Sequence, residues 1–193
     1  MIDKNNKISQ GYFWFNEPAY EIKNKMLYIS TSPETDFWQK THYDFEKDNG
    51  HCLLIKVKDD FSISVKTSFI PKNQYDQCGL IVRIDSENWI KTFTEYEAEN
   101  FSRLGSVVTN SGYSDWATID INTKIDTMWY RIQSSKNDFL IEFSEDGISW
   151  KQLRVTHLHN KFNELSVGIF ACSPKDGTFD AVFDNYILDK SGW

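Results

Sequence analysis

The sequence has few cysteines, glycines and prolines, and no long apolar run. Its three cysteines, Cys52, Cys78 and Cys172, are odd in number and far apart, which predicts free, buried thiols and fits a reducing cytoplasm. Nine glycines and four prolines exclude collagen-like and proline-rich low-complexity chains. The longest apolar stretches, residues 52–55 and 167–172, are far shorter than the roughly 18 residues of a membrane-spanning helix. An integral membrane protein is therefore not expected.

Positive charge is also scarce. The formal net charge is −7 and the isoelectric point is about 5.1, so neither nucleic acid nor a membrane surface is an expected partner. The first residues carry an acid where a secretion signal has its basic region, and no apolar region follows, which also favours a cytoplasmic location. Glycine-rich phosphate loops and nucleophile elbows are missing, so nucleotide use and acyl transfer are not expected, and no cofactor is predicted.

What the chain does contain is strand-forming sequence. Its 193 residues, 40% hydrophobic and 16% aromatic, suit a single domain over residues 1–193. Short runs of alternating apolar and polar residues are separated by Asn, Asp and Gly, and helical periodicity is nearly absent. Strands are predicted at 26–30, 52–58, 61–70, 79–85, 88–96, 105–109, 116–121, 129–134, 138–144, 166–172 and 178–188. Consecutive hairpins of this kind predict an all-β fold, a two-sheet antiparallel β-sandwich of the jelly-roll type.

The two-residue period of a strand assigns side chains to faces. In the predicted strands, Leu80 and Val82 point to the core, whereas Arg83, Lys91 and Glu95 point away from it. The same alternation puts Arg131 outward on another strand. It also puts the aromatic residues Phe93 and Trp129 on the same outward faces as these charges. Charged groups beside aromatic rings on a sheet face are typical of a surface that binds polyols, because rings stack on sugar C–H groups and charges bind hydroxyls.

Several short segments resemble a known family. They include residues 75–83 (YDQCGLIVR), 87–91 (ENWIK), 114–116 (SDW), 129–131 (WYR) and 143–147 (FSEDG). Together they are similar to the family called domain of unknown function 1349, and the match extends over nearly the whole chain. The resemblance implies a concanavalin A-like lectin or glucanase fold. Since one member is described as a regulator of the metabolic enzyme enolase and other members occur beside carbohydrate-active domains, it also implies contact with carbohydrate or with a metabolic enzyme.

One departure from the family pattern concerns Phe93, which stands where the family has a small residue and narrows any groove. Three acids, Glu95, Glu97 and Glu99, alternate along the same strand, about 6.6 Å apart. That spacing is compatible with glycoside hydrolysis. A solvated hairpin end at Glu97 and Glu99, with Glu95 alone in the groove, is the favoured interpretation, so Glu95 is a catalytic candidate only if the protein is an enzyme.

No metal site is expected. His157 and His159 share a strand face, but no third ligand lies nearby in the sequence, so an exposed strand edge is favoured. The acids Asp36, Asp44 and Asp48 do not reproduce a calcium-binding loop and are interpreted as solvated turn acids.

The predicted function is noncatalytic binding of a saccharide or a sugar-like small molecule on the exposed sheet face. Rings would stack on the ligand, Arg83, Lys91 and Arg131 would donate hydrogen bonds, and acids would accept them. The proposed contacts are Trp38, His42, Tyr75, Gln77, Arg83, Lys91, Glu95, Asp115, Trp116 and Arg131. For His42, hydrogen bonding to a ligand and holding of its own loop are equally compatible with the sequence.

Two other functions stay open. A glycoside hydrolase would need a second carboxylate across the groove from Glu95. A protein-interaction module that contacts a metabolic enzyme would need an exposed apolar patch instead.

Overall fold

The computed structural model describes residues 1–193 and contains sixteen β-strands and no helix. The first seven-stranded sheet has the order β1-β6-β15-β8-β9-β10-β11. Its strands are β1 (Phe13–Phe15), β6 (His51–Val57), β8 (Gln77–Arg83), β9 (Trp89–Ala98), β10 (Phe101–Asn110), β11 (Tyr113–Ile121) and β15 (Leu165–Cys172).

The second seven-stranded sheet has the order β14-β13-β12-β7-β16-β3-β2. Its strands are β2 (Ala19–Lys23), β3 (Met26–Ser30), β7 (Phe61–Phe69), β12 (Thr127–Ser135), β13 (Asp138–Ser144), β14 (Lys151–His157) and β16 (Asp180–Lys190). A small ribbon pairs β4 (Phe37–Trp38) with β5 (Lys47–Asp48). None of these elements is a helix that could cross a membrane.

All strand pairs in the two large sheets are antiparallel, which confirms the predicted β-sandwich. The prediction missed β1, β2 and β14, as well as the two-residue strands of the ribbon. The strands β2 and β14 lie at sheet edges and are largely exposed, so they lack the apolar alternation that marks a half-buried strand.

The main core lies between the sheets and contains 27 buried residues. Leu80 and Val82 of the first sheet, and Met128, Tyr130 and Ile132 of the second, are among them, so the predicted inward faces are confirmed. Tight packing of this kind buries enough apolar area to hold two sheets together without helices.

A second core covers the outer face of the first sheet. It contains ten buried residues, including Phe37, Trp89, Phe93 and Phe170. Residues 36–50, here called the covering segment, lie over this face and carry the β4–β5 ribbon. The prediction of an exposed sheet face is therefore wrong for most of this sheet. Residues 52–54 of β6 and 167–172 of β15 are buried on both faces, which explains the two unbroken apolar runs in the sequence.

Hydrogen bonds fix both ends of residues 36–39, the part of the covering segment that crosses the first sheet. Asp36 donates its N–H to Asn49 Oδ1 at 3.0 Å and accepts from the N–H of Asn49 at 3.1 Å. Three residues later, Gln39 N–H donates to Ser114 Oγ at 2.9 Å, and Ser114 N–H donates back to Gln39 O at 3.1 Å. The stretch thus runs across the strands as far as the edge strand β11.

The three cysteines are free and buried, as predicted. Cys78 belongs to the main core, whereas Cys52 and Cys172 belong to the second core. Burial raises the pKa of all three thiols.

Candidate functional site

A cavity of about 280 Å³ lies between the covering segment and the first sheet. Gln77, Lys91, Phe93 and Glu95, from neighbouring strands β8 and β9, form its floor. Aromatic rings form much of its wall, and charged groups lie at its edge. The wall and edge residues are Asp36, Trp38, Tyr43, Phe45, Tyr75, Glu97, Arg103, Val107, Trp116, Pro174 and Lys175.

Lys91 is the most deeply buried charge in the floor. Its side chain is 2% exposed. Its Nζ donates to Phe37 O at 2.8 Å and to Gln77 Oε1 at 2.9 Å, and lies 3.4 Å from Asp36 Oδ1. These three contacts engage all three N–H groups of the ammonium. The prediction that Lys91 donates to a ligand is therefore wrong, because Lys91 ties the covering segment to the sheet.

Gln77 connects the carboxylates in the floor. Its Nε2 donates to Glu95 Oε2 at 2.9 Å and lies 3.4 Å from Asp36 Oδ1. Because its Oε1 accepts from Lys91, the amide is held in one orientation. Gln77 therefore positions the acidic groups of the floor.

Glu95 is buried in this floor, with 6% of its surface exposed. Burial raises its pKa to about 8, the nearby Lys91 ammonium opposes the rise, and the carboxylates of Asp36 and Glu97 add to it. A carboxyl group with this pKa is mostly protonated at neutral pH, so it can donate a hydrogen bond as well as accept one.

Unpartnered polar atoms are concentrated at the cavity. Six buried side-chain polar atoms in the protein have no hydrogen-bond partner, and three belong to cavity residues: Glu95 Oε1, Glu97 Oε2 and Trp116 Nε1. Glu97 Oε2 lies 3.5 Å from Arg103 Nε, a charge contact without hydrogen-bond geometry. The interpretation of Glu97 as part of a solvated hairpin end is therefore wrong, whereas Glu99 is exposed in the turn, as expected.

The rings of the wall support one another. Trp38 and Trp116 are 6.2 Å apart between ring centroids at an interplanar angle of 76°, and Tyr43 lies 5.3 Å from Trp38. Trp38 Nε1 donates to Thr41 O at 3.0 Å, which fixes the indole. Tyr43 and Phe45 stay 50% and 40% exposed at the mouth of the cavity. A ligand in the cavity would be enclosed by rings on this side.

Six of the ten predicted contact residues line this cavity. They are Trp38, Tyr75, Gln77, Lys91, Glu95 and Trp116.

Arg83 lies on the same face of the first sheet but outside the cavity. Its two guanidinium NH groups donate to the two oxygens of Asp48 at 2.6 Å each, and its guanidinium stacks 4.7 Å from the Phe15 ring centroid. Asp48 is therefore not a solvated turn acid, and Asp36 is not either, because both hold the covering segment against the sheet. Arg83 is engaged in this contact and does not face a ligand.

The other three predicted contacts lie elsewhere. Arg131 is on the second sheet, where its Nε donates to Glu142 Oε2 at 2.7 Å and its guanidinium stacks on Trp150. Asp115 pairs with Arg154 at 3.0 Å, and the exposed His42 ring packs on Tyr43 beyond the cavity lining. A two-residue period assigns a face within one strand, but it does not say which sheet the strand joins, so Arg131 could not be separated from Arg83.

Sequence reasoning missed several cavity residues because they come from loops. Asp36, Tyr43 and Phe45 lie on the covering segment, and Pro174 and Lys175 follow β15. Arg103 lies opposite Glu95 on the adjacent strand β10, and this register could have identified it. No group of three or more His, Cys, Asp or Glu is placed to hold a metal ion.

Comparison with known proteins gives the family. The sequence profile described as protein of unknown function (DUF1349) matches residues 14–191. The chain is 33% identical over 187 residues to Regulation of enolase protein 1 of Saccharomyces cerevisiae, covering 96% of this chain and 92% of that protein.

Two solved structures share the fold. A Saccharomyces cerevisiae protein described as functionally unknown superposes with a TM-score of 0.86 at 29% identity, covering 93% of this chain and 96% of the other. The carbohydrate-binding module CBM66 of Bacillus subtilis superposes with a TM-score of 0.58 at 14% identity, covering 93% and 96%. The family profile matches most of the chain, and a relative that is covered over 92% of its length is 33% identical to it. The chain therefore belongs to the DUF1349 family.

Proposed function

We propose that this protein binds a saccharide or a sugar-like metabolite, without catalysis, in the cavity under the covering segment. The observation that carries the proposal is the concentration of unpartnered buried polar atoms at this cavity. Buried polar groups in proteins are nearly always hydrogen-bonded, so a cluster of unpartnered ones calls for a missing partner.

The chemistry of these atoms favours a polyol. The indole N–H of Trp116 needs an acceptor, and the oxygens of Glu95 and Glu97 need donors or, for a protonated Glu95, an acceptor. A hydroxyl group both donates and accepts, so one ligand class satisfies all of them. The surrounding rings of Trp38, Tyr43 and Trp116 match the apolar C–H faces of a sugar.

The charges of the cavity favour a neutral ligand. The cavity is lined by three cations, Lys91, Arg103 and Lys175, and by three acids, Asp36, Glu95 and Glu97, so it has no excess of positive charge that would select an anionic group. One protein with this fold is a carbohydrate-binding module, which supports the choice of ligand class. A cytoplasmic location stays a prediction.

The experiment is a binding titration with a panel of neutral mono- and oligosaccharides, followed by tryptophan fluorescence and calorimetry. Trp116→Phe keeps a ring but removes the indole N–H, so we expect an affinity loss of about fivefold, since a buried hydrogen bond contributes about 1 kcal/mol. Trp14→Phe is the matched control, because Trp14 Nε1 is also buried without a partner but lies outside the cavity. No binding by any saccharide, or equal losses in the two variants, would contradict the proposal.

A second candidate, a glycoside hydrolase, is favoured by a second carboxyl group close to Glu95. Asp36 Oδ1 and Glu95 Oε2 both contact Gln77 Nε2, so they are at most about 6.3 Å apart, the sum of 3.4 Å and 2.9 Å. Glycoside hydrolases place their two carboxyl groups about 5–9.5 Å apart, so this arrangement is compatible with catalysis. Release of reducing sugar from oligosaccharides, abolished in Glu95→Gln, would favour this function over simple binding.

The relative named Regulation of enolase protein 1 favours contact with a metabolic enzyme as a third candidate. The exposed rings of Tyr43 and Phe45 would then contribute to the docking surface. Co-purification with enolase that is lost in Tyr43→Ala but kept in Tyr113→Ala, which changes another exposed tyrosine, would support it.

A further inference from the structure

We infer that the cavity takes a free monosaccharide or the terminal unit of a saccharide chain, and does not take the interior of a polysaccharide. The inference rests on the proposed carbohydrate binding and specifies its ligand class. It follows from how the chain covers its own sheet.

A row of residues crosses the outer face of the first sheet at right angles to the strands. The strand register places Gly168, Ile81, Lys91, Val107 and Trp116 side by side on five neighbouring strands. A polysaccharide that crossed this sheet face would lie along such a row, in contact with several strands in succession.

Residues 36–39 already occupy that path. Phe37 packs on Phe170 and Trp89 with centroid distances of 6.2 Å and 6.0 Å, and its carbonyl accepts from Lys91. Trp38 packs on Trp116, and Gln39 hydrogen-bonds Ser114 on the edge strand. The protein's own chain thus fills the route across the sheet from β15 to β11.

The half of the outer face on the Arg83 side of residues 36–39 is closed as well. The Arg83–Asp48 ion pair lies there with both side chains largely buried, at 10% and 24% exposure. Phe15 stacks on the guanidinium and packs 6.1 Å from Phe37. No continuous groove therefore remains on that side of residues 36–39.

The cavity is also bounded on its other side. Tyr75, Pro174 and Lys175 line it, and Lys175 Nζ lies 5.0 Å from the Tyr75 ring centroid. Its volume of about 280 Å³ is just below the range of about 300–1,000 Å³ that is typical of sites for drug-sized ligands. A space of this size, walled on two opposite sides, suits one sugar unit.

The polar floor adds a chemical reason. Glu95 in the floor and Trp116 in the wall carry buried atoms without a partner, so the bound unit must bring free hydroxyls to them. A terminal unit is linked through one position only, so its far side carries free hydroxyls. An interior unit is linked at both sides and would have to continue through the wall.

The test is a length series of the sugar that binds most tightly in the panel, measured as monosaccharide, disaccharide and linear tetrasaccharide. We expect dissociation constants that agree within about threefold, since only one unit is enclosed. A cyclic oligosaccharide of the same units, which has no chain end, should not bind measurably. Cutting a polysaccharide with an endo-acting hydrolase should raise the number of binding sites and leave their affinity unchanged.

The outcomes separate this inference from the proposed function. An affinity that rises tenfold or more from monosaccharide to tetrasaccharide, or equal binding of cyclic and linear forms, overturns end recognition. If Trp116→Phe still weakens saccharide binding in that case, the proposed carbohydrate function stands although end recognition does not. Binding of no saccharide at all overturns both.

Discussion

The outer faces of the two sheets carry similar charges in very different surroundings. On the first sheet, Lys91 is 2% exposed and lies under the covering segment. On the second sheet, Arg131 pairs with Glu142 and stacks on the Trp150 ring, and its side chain is 25% exposed. The sequence patterns are alike, since each charge alternates with core residues along its strand. What a charged residue does is therefore decided by the chain that packs over it.

The largest expected contrast is in stability. Lys91→Met removes an ammonium that contacts Phe37 O, Gln77 Oε1 and Asp36 Oδ1, and leaves the largely buried Asp36 carboxylate without its cation. We expect a loss of about 3–5 kcal/mol in the free energy of unfolding, as for other broken buried charge pairs. Arg131→Met, the matched change on the second sheet, should cost about 1–2 kcal/mol, because Arg131 is 25% exposed and Gln133 Nε2 still donates to Glu142 Oε2 after the change. Urea denaturation of both variants measures the difference.

Equal losses in the two variants would show that the covering segment adds nothing to the role of Lys91. A small loss in Lys91→Met, with its cavity intact, would mean that the second core is held by apolar packing alone.

The next contrast is in pH dependence. Glu95 has a usual pKa of 4.5 when unfolded, which burial raises to about 8 in the folded protein. Below pH 4.5 both states are protonated and Glu95 has no effect on stability. Between these pKa values the unfolded state releases its proton while the folded state keeps it, so stability falls as the pH rises. Glu95→Gln removes this loss, and at pH 8 it should be more stable than the wild type by on the order of 4 kcal/mol.

Glu142→Gln is the control for this prediction, because Glu142 is a similarly buried carboxyl group that pairs with Arg131 on the second sheet. Urea unfolding at pH 5 and at pH 8 measures all three proteins. If the wild type and Glu95→Gln differ in stability by the same amount at pH 5 and at pH 8, Glu95 is ionised in the folded state.

Most of the sandwich could be predicted from the sequence because its strands are marked locally. The alternation of Leu80 and Val82, and of Met128, Tyr130 and Ile132, is a property of neighbouring residues, and it correctly identified the inner faces. The edge strands β2 and β14 lack this mark because solvent reaches both of their faces.

The covering segment could not be predicted because long-range contacts determine its position. Asp36 reaches Lys91, and Gln39 reaches Ser114, across more than fifty residues of sequence. The only local sign was the unbroken apolar sequence of residues 52–55 and 167–172, which indicates strands that are buried on both faces. Six cavity residues were identified because they belong to strands or to aromatic motifs, whereas the loop residues around them have no periodic pattern.

The smallest expected effect compares the two cores through their thiols. Cys78 lies between the sheets, whereas Cys52 and Cys172 lie under the covering segment. All three are fully buried, and desolvation raises their pKa, so the folded protein should not react with a thiol reagent at pH 8. The two cores differ in how much chain must move to expose them.

In urea below the unfolding midpoint, we expect Cys52 and Cys172 to react about tenfold faster than Cys78. Opening the second core requires only residues 36–50 to detach, whereas exposing Cys78 requires the two sheets to separate, and a difference of about 1.4 kcal/mol in opening free energy gives this ratio. Mass spectrometry of peptides labelled for increasing times measures the three rates, and a Cys78→Ala variant checks that the order does not depend on the third thiol. Equal rates for all three thiols would mean that the covering segment opens only with the whole sandwich. The main core and the second core would then unfold as one cooperative unit.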